Sequence, residues 1–296
     1  MGSVEAGIGL ALVAAVMANL ASLLKHRGCQ QVPPVRIQAP LQSARGLAAS
    51  RWFAAGWGIA AIAWLIHVAA LSMAPISLVQ AALAGGAVSL AVLSQRLFGQ
   101  AVEPRQWLAL LLGGSGLVIL ALTLPSIDGS HSEFALAAIV GFEGALGMLA
   151  LSLALGYRRQ LFAVRHGALL AVIAGTLFAF AGVAIKALTG EGGLSPLVLA
   201  PWIAVIVACG ALAQYSAVAA LQRGGAIETI GLMGLVASAA QILSGVVVFG
   251  DPLASGSVGI GLQATAFGLV CVSALLLPPA HAAASPRGQS LIGRPA

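Results

Sequence analysis

The sequence predicts an all-α integral membrane protein, and three observations carry that prediction. The 296 residues are 60% apolar and only 7% charged, with a mean hydropathy of +1.02, whereas a soluble domain carries roughly 25% charged residues. Apolar runs long enough to cross about 30 Å of hydrocarbon recur along the whole chain. The basic residues collect in every second connection between those runs, the pattern that sets topology in membrane proteins. Together these exclude a soluble enzyme, a disordered chain and a secreted disulfide scaffold. The pI near 10.0 then reads as a topology signal rather than a footprint for nucleic acid, and no nucleic-acid partner is expected.

Nine runs reach spanning length: Val4–Leu24, Trp52–Met73, Pro75–Leu97, Gln106–Pro125, Phe134–Gly156, Gly167–Leu188, Leu197–Ala220, Ala226–Phe249 and Gly256–Pro278. They fill residues 1–278, which are expected to form one transmembrane domain, and leave 279–296 as a disordered cytoplasmic tail rich in Pro, Ala and Ser. The first run lacks a basic leader and is followed by Lys25-His26-Arg27, so it reads as a retained helix rather than a signal peptide. Lys25, Arg27, Arg36, Arg45, Arg51, Arg96, Arg105, Arg158, Arg159, Arg165, Arg223, Arg287 and Arg294 fall on one side, against Lys186 alone on the other. The positive-inside rule therefore puts the N-terminus outside and the C-terminus in the cytoplasm of a multi-pass protein of the cell membrane. Cys29 falls in the first basic loop, Cys209 and Cys271 fall within apolar runs, and no CxxC spacing occurs, so neither a metal knuckle nor a disulfide framework is implied.

An internal repeat is visible when His67–Gln100 is laid on Val218–Asp251. Phe98-Gly99 then falls on Phe249-Gly250, Ala69 on Ala220 and, just upstream, Trp64 on Tyr215. A slightly larger shift sets Lys25 on Lys186 near the ends of spans one and six. Spans one to four thus repeat as six to nine and span five is unpaired. An odd number of spans separates the copies, so they face opposite ways, the arrangement that lets a secondary transporter expose one midplane site to each side in turn.

The stretch Leu71-Ser-Met-Ala-Pro-Ile-Ser-Leu-Val-Gln80, the Gly/Ala-rich helix leading to Arg96-Leu-Phe-Gly-Gln100, and Leu110-Leu-Leu-Gly-Gly-Ser-Gly-Leu-Val-Ile119 resemble the drug/metabolite transporter superfamily. The nine-span layout with a long basic first loop is similar, within it, to NIPA-type magnesium transporters. The resemblance implies a ten-span fold of two inverted halves with the first helix missing, a span five that lines the cavity, and magnesium as a substrate. Many members carry a Glu after the loop that ends the third span; Gln100 stands at that place here and Asp251 at the repeat-related one.

Glu143 is the ionisable residue at a span's centre. A charge at that depth costs about 2.5–3.5 kcal/mol on insertion scales and usually faces a cavity or a partner. It is read either as a proton carrier or cation ligand, and so as a candidate metal residue, or as a protonated acid bonded to a neighbouring helix. Gly141, Gly144 and Gly147 give its helix one smooth face that suits close approach of another backbone. His67, Gln80, Gln214, Tyr215, Gln241 and Asn19 are the remaining candidates for a polar path, each readable instead as interhelical glue. Trp52, Trp57, Trp107 and Trp202 fall near span ends and read as interfacial anchors. Glu228 and Arg223 read as an ion pair at the membrane edge.

No Walker loop, HExxH or GxSxG is present, and the loops are too short for a nucleotide-binding domain. A non-enzymatic secondary transporter without a cofactor is expected, embedded in lipid and moving either magnesium or a small organic solute exchanged for protons. A non-transporting membrane assembly protein is the alternative, and a homodimer is compatible with either.

Overall fold

A computed structural model describes residues 2–36, 39–99, 101–123, 134–159, 166–190, 196–251, 254 and 256–276. Among these residues every regular element is helical. In chain order they are α1 (Gly2–Cys29), α2 (Pro40–Ala49), α3 (Arg51–Met73), α4 (Ile76–Gly85), α5 (Ala87–Phe98), α6 (Pro104–Leu122), α7 (Leu136–Arg158), α8 (His166–Gly190), α9 (Pro196–Arg223), α10 (Ala226–Val247) and α11 (Gly256–Leu276). Seven stretches are long and apolar enough to cross a bilayer: Val4–Cys29, Arg51–Met73, Ile76–Phe98, Leu136–Arg158, His166–Leu188, Trp202–Arg223 and Ala226–Val247. Two shorter apolar stretches, Pro104–Leu120 and Gly256–Val270, lie on α6 and α11. The protein is thus an all-helical, multi-pass membrane protein, and each of the nine apolar runs overlaps one of these helices or, for the third, two.

The helices form because backbone polar groups have no water to bond within hydrocarbon and must pair inside their own segment. Their limits follow local chemistry. Ser50 caps α3, its hydroxyl accepting from the Phe53 N–H, and Pro40 opens α2, where a missing N–H costs nothing. Phe98 and Phe249 are each followed by a glycine in the left-handed region, Gly99 at φ 62° and Gly250 at φ 70°. A Cβ would be strained there, which accounts for the Phe-Gly pair at both places.

Two expectations about the layout change, and one is not covered. The third run carries a one-residue turn: α4 and α5 meet at Gly86, whose carbonyl accepts from the Asn19 side-chain amide at 2.9 Å. The first connection is not a plain loop, because α1 continues to a buried Cys29 and α2 folds before α3 begins. The tail at 279–296 lies outside the described residues, as do Gln100 and Arg165.

α1 packs along α3, and α8 along α9. α1 also packs on α4, as α8 does on α10; α3 touches α8, and α1 touches α9. α4 meets α10 at the centre, and α6 pairs with α11. α7 lies against α8, at the edge of the bundle. Small residues allow these approaches, as expected where lipid leaves packing rather than the hydrophobic effect to hold helices together. A Cβ on Gly175 of α8 would stand 2.6 Å from the Met233 carbonyl oxygen of α10.

The two ends of the bundle are tied differently. At the end holding Lys25, Arg27 and Arg51, here called the basic end, the chain after α1 is strapped to the end of α9. Gln30 Nε2 donates to the Leu221 carbonyl at 3.0 Å, the Val35 N–H donates to Gln222 Oε1 at 2.9 Å, and Gln222 Nε2 donates to the Pro33 carbonyl at 3.2 Å. Trp52 lies there beneath the Arg27 and Arg51 guanidinium groups, 4.3 and 5.4 Å from its ring centre, as an interfacial anchor should. At the far end Lys186, 0% exposed, donates through Nζ to the Leu71 and Ala74 carbonyls at 2.9 and 3.1 Å. Ser77 donates to Asp251 Oδ2 beside it, and Asp251 acts electrostatically on Lys186.

Candidate functional site: a central cavity

A cavity of about 570 Å³ lies in the middle of the bundle. Its wall takes residues from α1, α3, α4, α5, α6, α8, α9, α10 and α11, and none from α2 or α7. One face of each helix reaches it: Ala15, Asn19 and Ser22 on α1; Trp57, Ala61, Trp64 and His67 on α3; Ile206, Gly210 and Gln214 on α9. These spacings of three, four and seven residues mark a single helical stripe.

The wall is mostly Ala, Gly, Leu and Ile, with a sparse set of neutral polar groups. Gln80 on α4 is 2% exposed and donates through Nε2 to Gln241 Oε1 on α10 at 2.9 Å. Ser238 donates to Gln80 Oε1 at 3.3 Å. The Gln241 amide fits against the backbone of Gly182, where any Cβ would collide with it. Asn19, besides holding the Gly86 carbonyl, donates to Ser89 Oγ at 2.9 Å. Ser273 of α11 donates to the Ala109 carbonyl of α6 at 2.7 Å, beneath Gly113, where a Cβ would stand 2.6 Å from its Oγ. Two lining side chains hold a buried atom with no hydrogen-bond partner: His67 Nδ1 and Gln214 Oε1.

Of the residues expected from the sequence, Asn19, His67, Gln80, Gln214 and Gln241 come together around this cavity. Glu143 and Tyr215 are not part of its wall. Tyr215 packs into the cluster of α8, α9 and the chain after α1. Glu143 is buried on the α7 face turned to its neighbours, with Oε1 lacking a partner. The expectation that span five lines the cavity is therefore corrected: α7 stands outside, and its acid with it. The glycine face of that helix is also not a site of close approach, since a Cβ on Gly141 or Gly144 would meet nothing within 4 Å and one on Gly147 only Phe180 at 3.7 Å.

Sequence reasoning missed Ser22, Ser238 and Ser273, and it assigned Trp57 to anchoring although the ring lines the cavity. The signal for the tryptophan was available, since Trp57, Ala60, Ala61 and Trp64 share one helical face. Among the described residues no group of three His, Cys, Asp or Glu converges as a metal cage would require.

No protein-family model matches the chain, and no curated protein and no solved structure matches it either. The resemblance to drug/metabolite transporters accordingly rests on the sequence stretches quoted above.

Proposed function

We propose that the chain is a secondary carrier of the cytoplasmic membrane, with nine spans, that moves a small organic solute by alternating access. The observation that carries this reading is the cavity: about 570 Å³, within the 300–1,000 Å³ range of ligand sites, apolar with a few placed polar groups.

Support for an inverted repeat comes from the way helix contacts pair off. With α1, α3, α4–α5 and α6 set against α8, α9, α10 and α11, the α1–α3 hairpin answers α8–α9. The α1–α4 contact answers α8–α10, and α3–α8 answers α9–α1. The backbone agrees: Pro75 and Gly225, each just before a helix, have φ, ψ of −56°, 144° and −67°, 148°. The cavity wall uses only helices of the two copies, and the helix left over, α7, is the one outside it.

An organic solute fits the donor set better than magnesium. Mg²⁺ sheds water reluctantly and prefers carboxylates, whereas the cavity wall offers amides, hydroxyls and one imidazole. The test is counterflow in proteoliposomes with a panel of uncharged and singly charged metabolites, together with Mg²⁺. Gly234 lines the cavity and has open space where its Cβ would be, so Gly234→Phe can direct a bulky ring into the site. Transport is expected to fall by about tenfold or more, roughly 1.4 kcal/mol in affinity, with the melting temperature retained. Unchanged transport in a folded Gly234→Phe protein would sink the assignment of this cavity.

A further inference from the structure

The cavity is bordered toward both ends of the bundle by buried apolar clusters and is open to the outside. Toward the basic end, Leu23, Leu90, Leu221, Ile227 and Ile230 form one buried cluster drawn from α1, α5, α9 and α10. Toward the far end, Leu71, Ile76, Val79, Ile185 and Phe249 form another, backed by the Lys186 and Asp251 contacts. Most neighbouring helices around the ring are packed together, including α1 with α3, α8 with α9 and α6 with α11. Among the described residues α3 and α9 form no such packed pair, yet both line the cavity.

The side chains along that gap belong to the cavity and to the outer surface at once. Trp57 and Trp64 are each 49% exposed while lining the cavity, and Val207 opposite them is 64% exposed. Since α3 and α9 both qualify as membrane spans, the surface they expose at this depth faces lipid. The seven-residue step from Trp57 to Trp64 gives the opening a length of roughly 10 Å along the helix axis. His67 Nδ1 on one lip and Gln214 Oε1 on the other are the two lining atoms without a partner.

We propose that the cavity takes its ligand from the bilayer, sideways between α3 and α9, and that the ligand is a drug-sized amphiphile with an uncharged polar head. This deepens the carrier reading and rests on it for the consequence of binding, though not for the binding itself. An opening into hydrocarbon admits only what dissolves in hydrocarbon. The uncharged wall favours a neutral head, because a charge carried inside would meet no counter-charge. The amides of Gln80, Gln214, Gln241 and Asn19 supply both donors and acceptors, which suits an amide or hydroxyl head, while the Ala, Leu and Trp surface receives the chain.

The test uses the full chain in liposomes and a long-chain fatty amide carrying a mid-chain diazirine. Photolabelling is expected on residues 57–67 of α3 and 206–214 of α9, with competition by the unlabelled amide. Gly210 lines the mouth and has nothing within 4 Å of its Cβ position, so Gly210→Trp blocks entry and lowers labelling by about tenfold while the melting temperature holds. Val207→Trp serves where the first variant fails to fold. In a protein whose Trp52, Trp107 and Trp202 are replaced by Phe, brominated acyl chains are expected to quench Trp57 and Trp64. Labelling that ignores both blocking variants, or the absence of quenching, overturns lateral entry. A protein that moves a water-soluble solute, loses this with Gly234→Phe and keeps it with Gly210→Trp also overturns lateral entry, while leaving the carrier reading standing.

Discussion

Gln241 keeps its place because Gly182 has no side chain. Its amide lies against the α8 backbone and accepts from Gln80 at 2.9 Å, so Gly182→Ala forces it away and costs about 1–3 kcal/mol by overpacking. Thermal unfolding in detergent should register that loss, and Gly141→Ala, where a Cβ meets nothing within 4 Å, should fall within about 0.5 kcal/mol of the parent. Glu143 is the contrasting case. Its Oε1 has no hydrogen-bond partner and its helix is absent from the cavity wall, so Glu143→Gln should leave transport unchanged and stability equal or higher. A transport-dead Glu143→Gln protein that still folds would return that acid to the pathway. At this scale the sequence was readable for residue type but not for direction. Polar residues stood out against an apolar chain, and most of those singled out do converge, yet nothing in Phe142-Glu143-Gly144 tells a cavity-facing acid from one facing a neighbouring helix.

The helices themselves were legible because each is bounded by chemistry that hydropathy reveals: charges at Arg51 and Arg223, Pro75 before α4, and the Phe-Gly pairs whose glycines take positive φ. What hydropathy could not give was which helix lies inside. A soluble helix marks its core with an apolar stripe, but a helix in lipid is apolar all round, so α7 and α8 read alike although only α8 lines the cavity. The helix α2 was missed because its ten residues lie inside the long basic connection, outside the apolar runs that mark the other helices. Between elements, the sharpest prediction concerns α8 and α3. Lys186→Met removes two hydrogen bonds to the end of α3 and the electrostatic counterpart of Asp251. Removing one partner of a buried charged pair costs about 3–5 kcal/mol. The double variant with Asp251→Asn should recover part of that loss, and a double-mutant cycle on thermal unfolding measures the share; strict additivity would show that the two side chains act independently.

For the whole molecule, the asymmetry of basic residues between connections predicts which end meets the cytoplasm. In a protein whose native cysteines are replaced by serine, Arg45→Cys on the exposed part of α2 should react with a membrane-impermeant maleimide in inside-out vesicles and not in intact cells. Labelling of intact cells would reverse the topology. The two ends also differ in how they are fastened. Besides the Gln80, Gln241 and Ser238 contacts at the centre and Ser273 on the Ala109 carbonyl, the copies are joined by the amides of Gln30 and Gln222 at the basic end, and by a lysine and an aspartate at the far end. On the carrier reading, one half-cycle must part amide bonds and the other must separate buried charges. Separating the charges is the steeper step in a medium of low permittivity, so on that reading the opening of the far end sets the pace of the whole cycle, whichever way the solute travels.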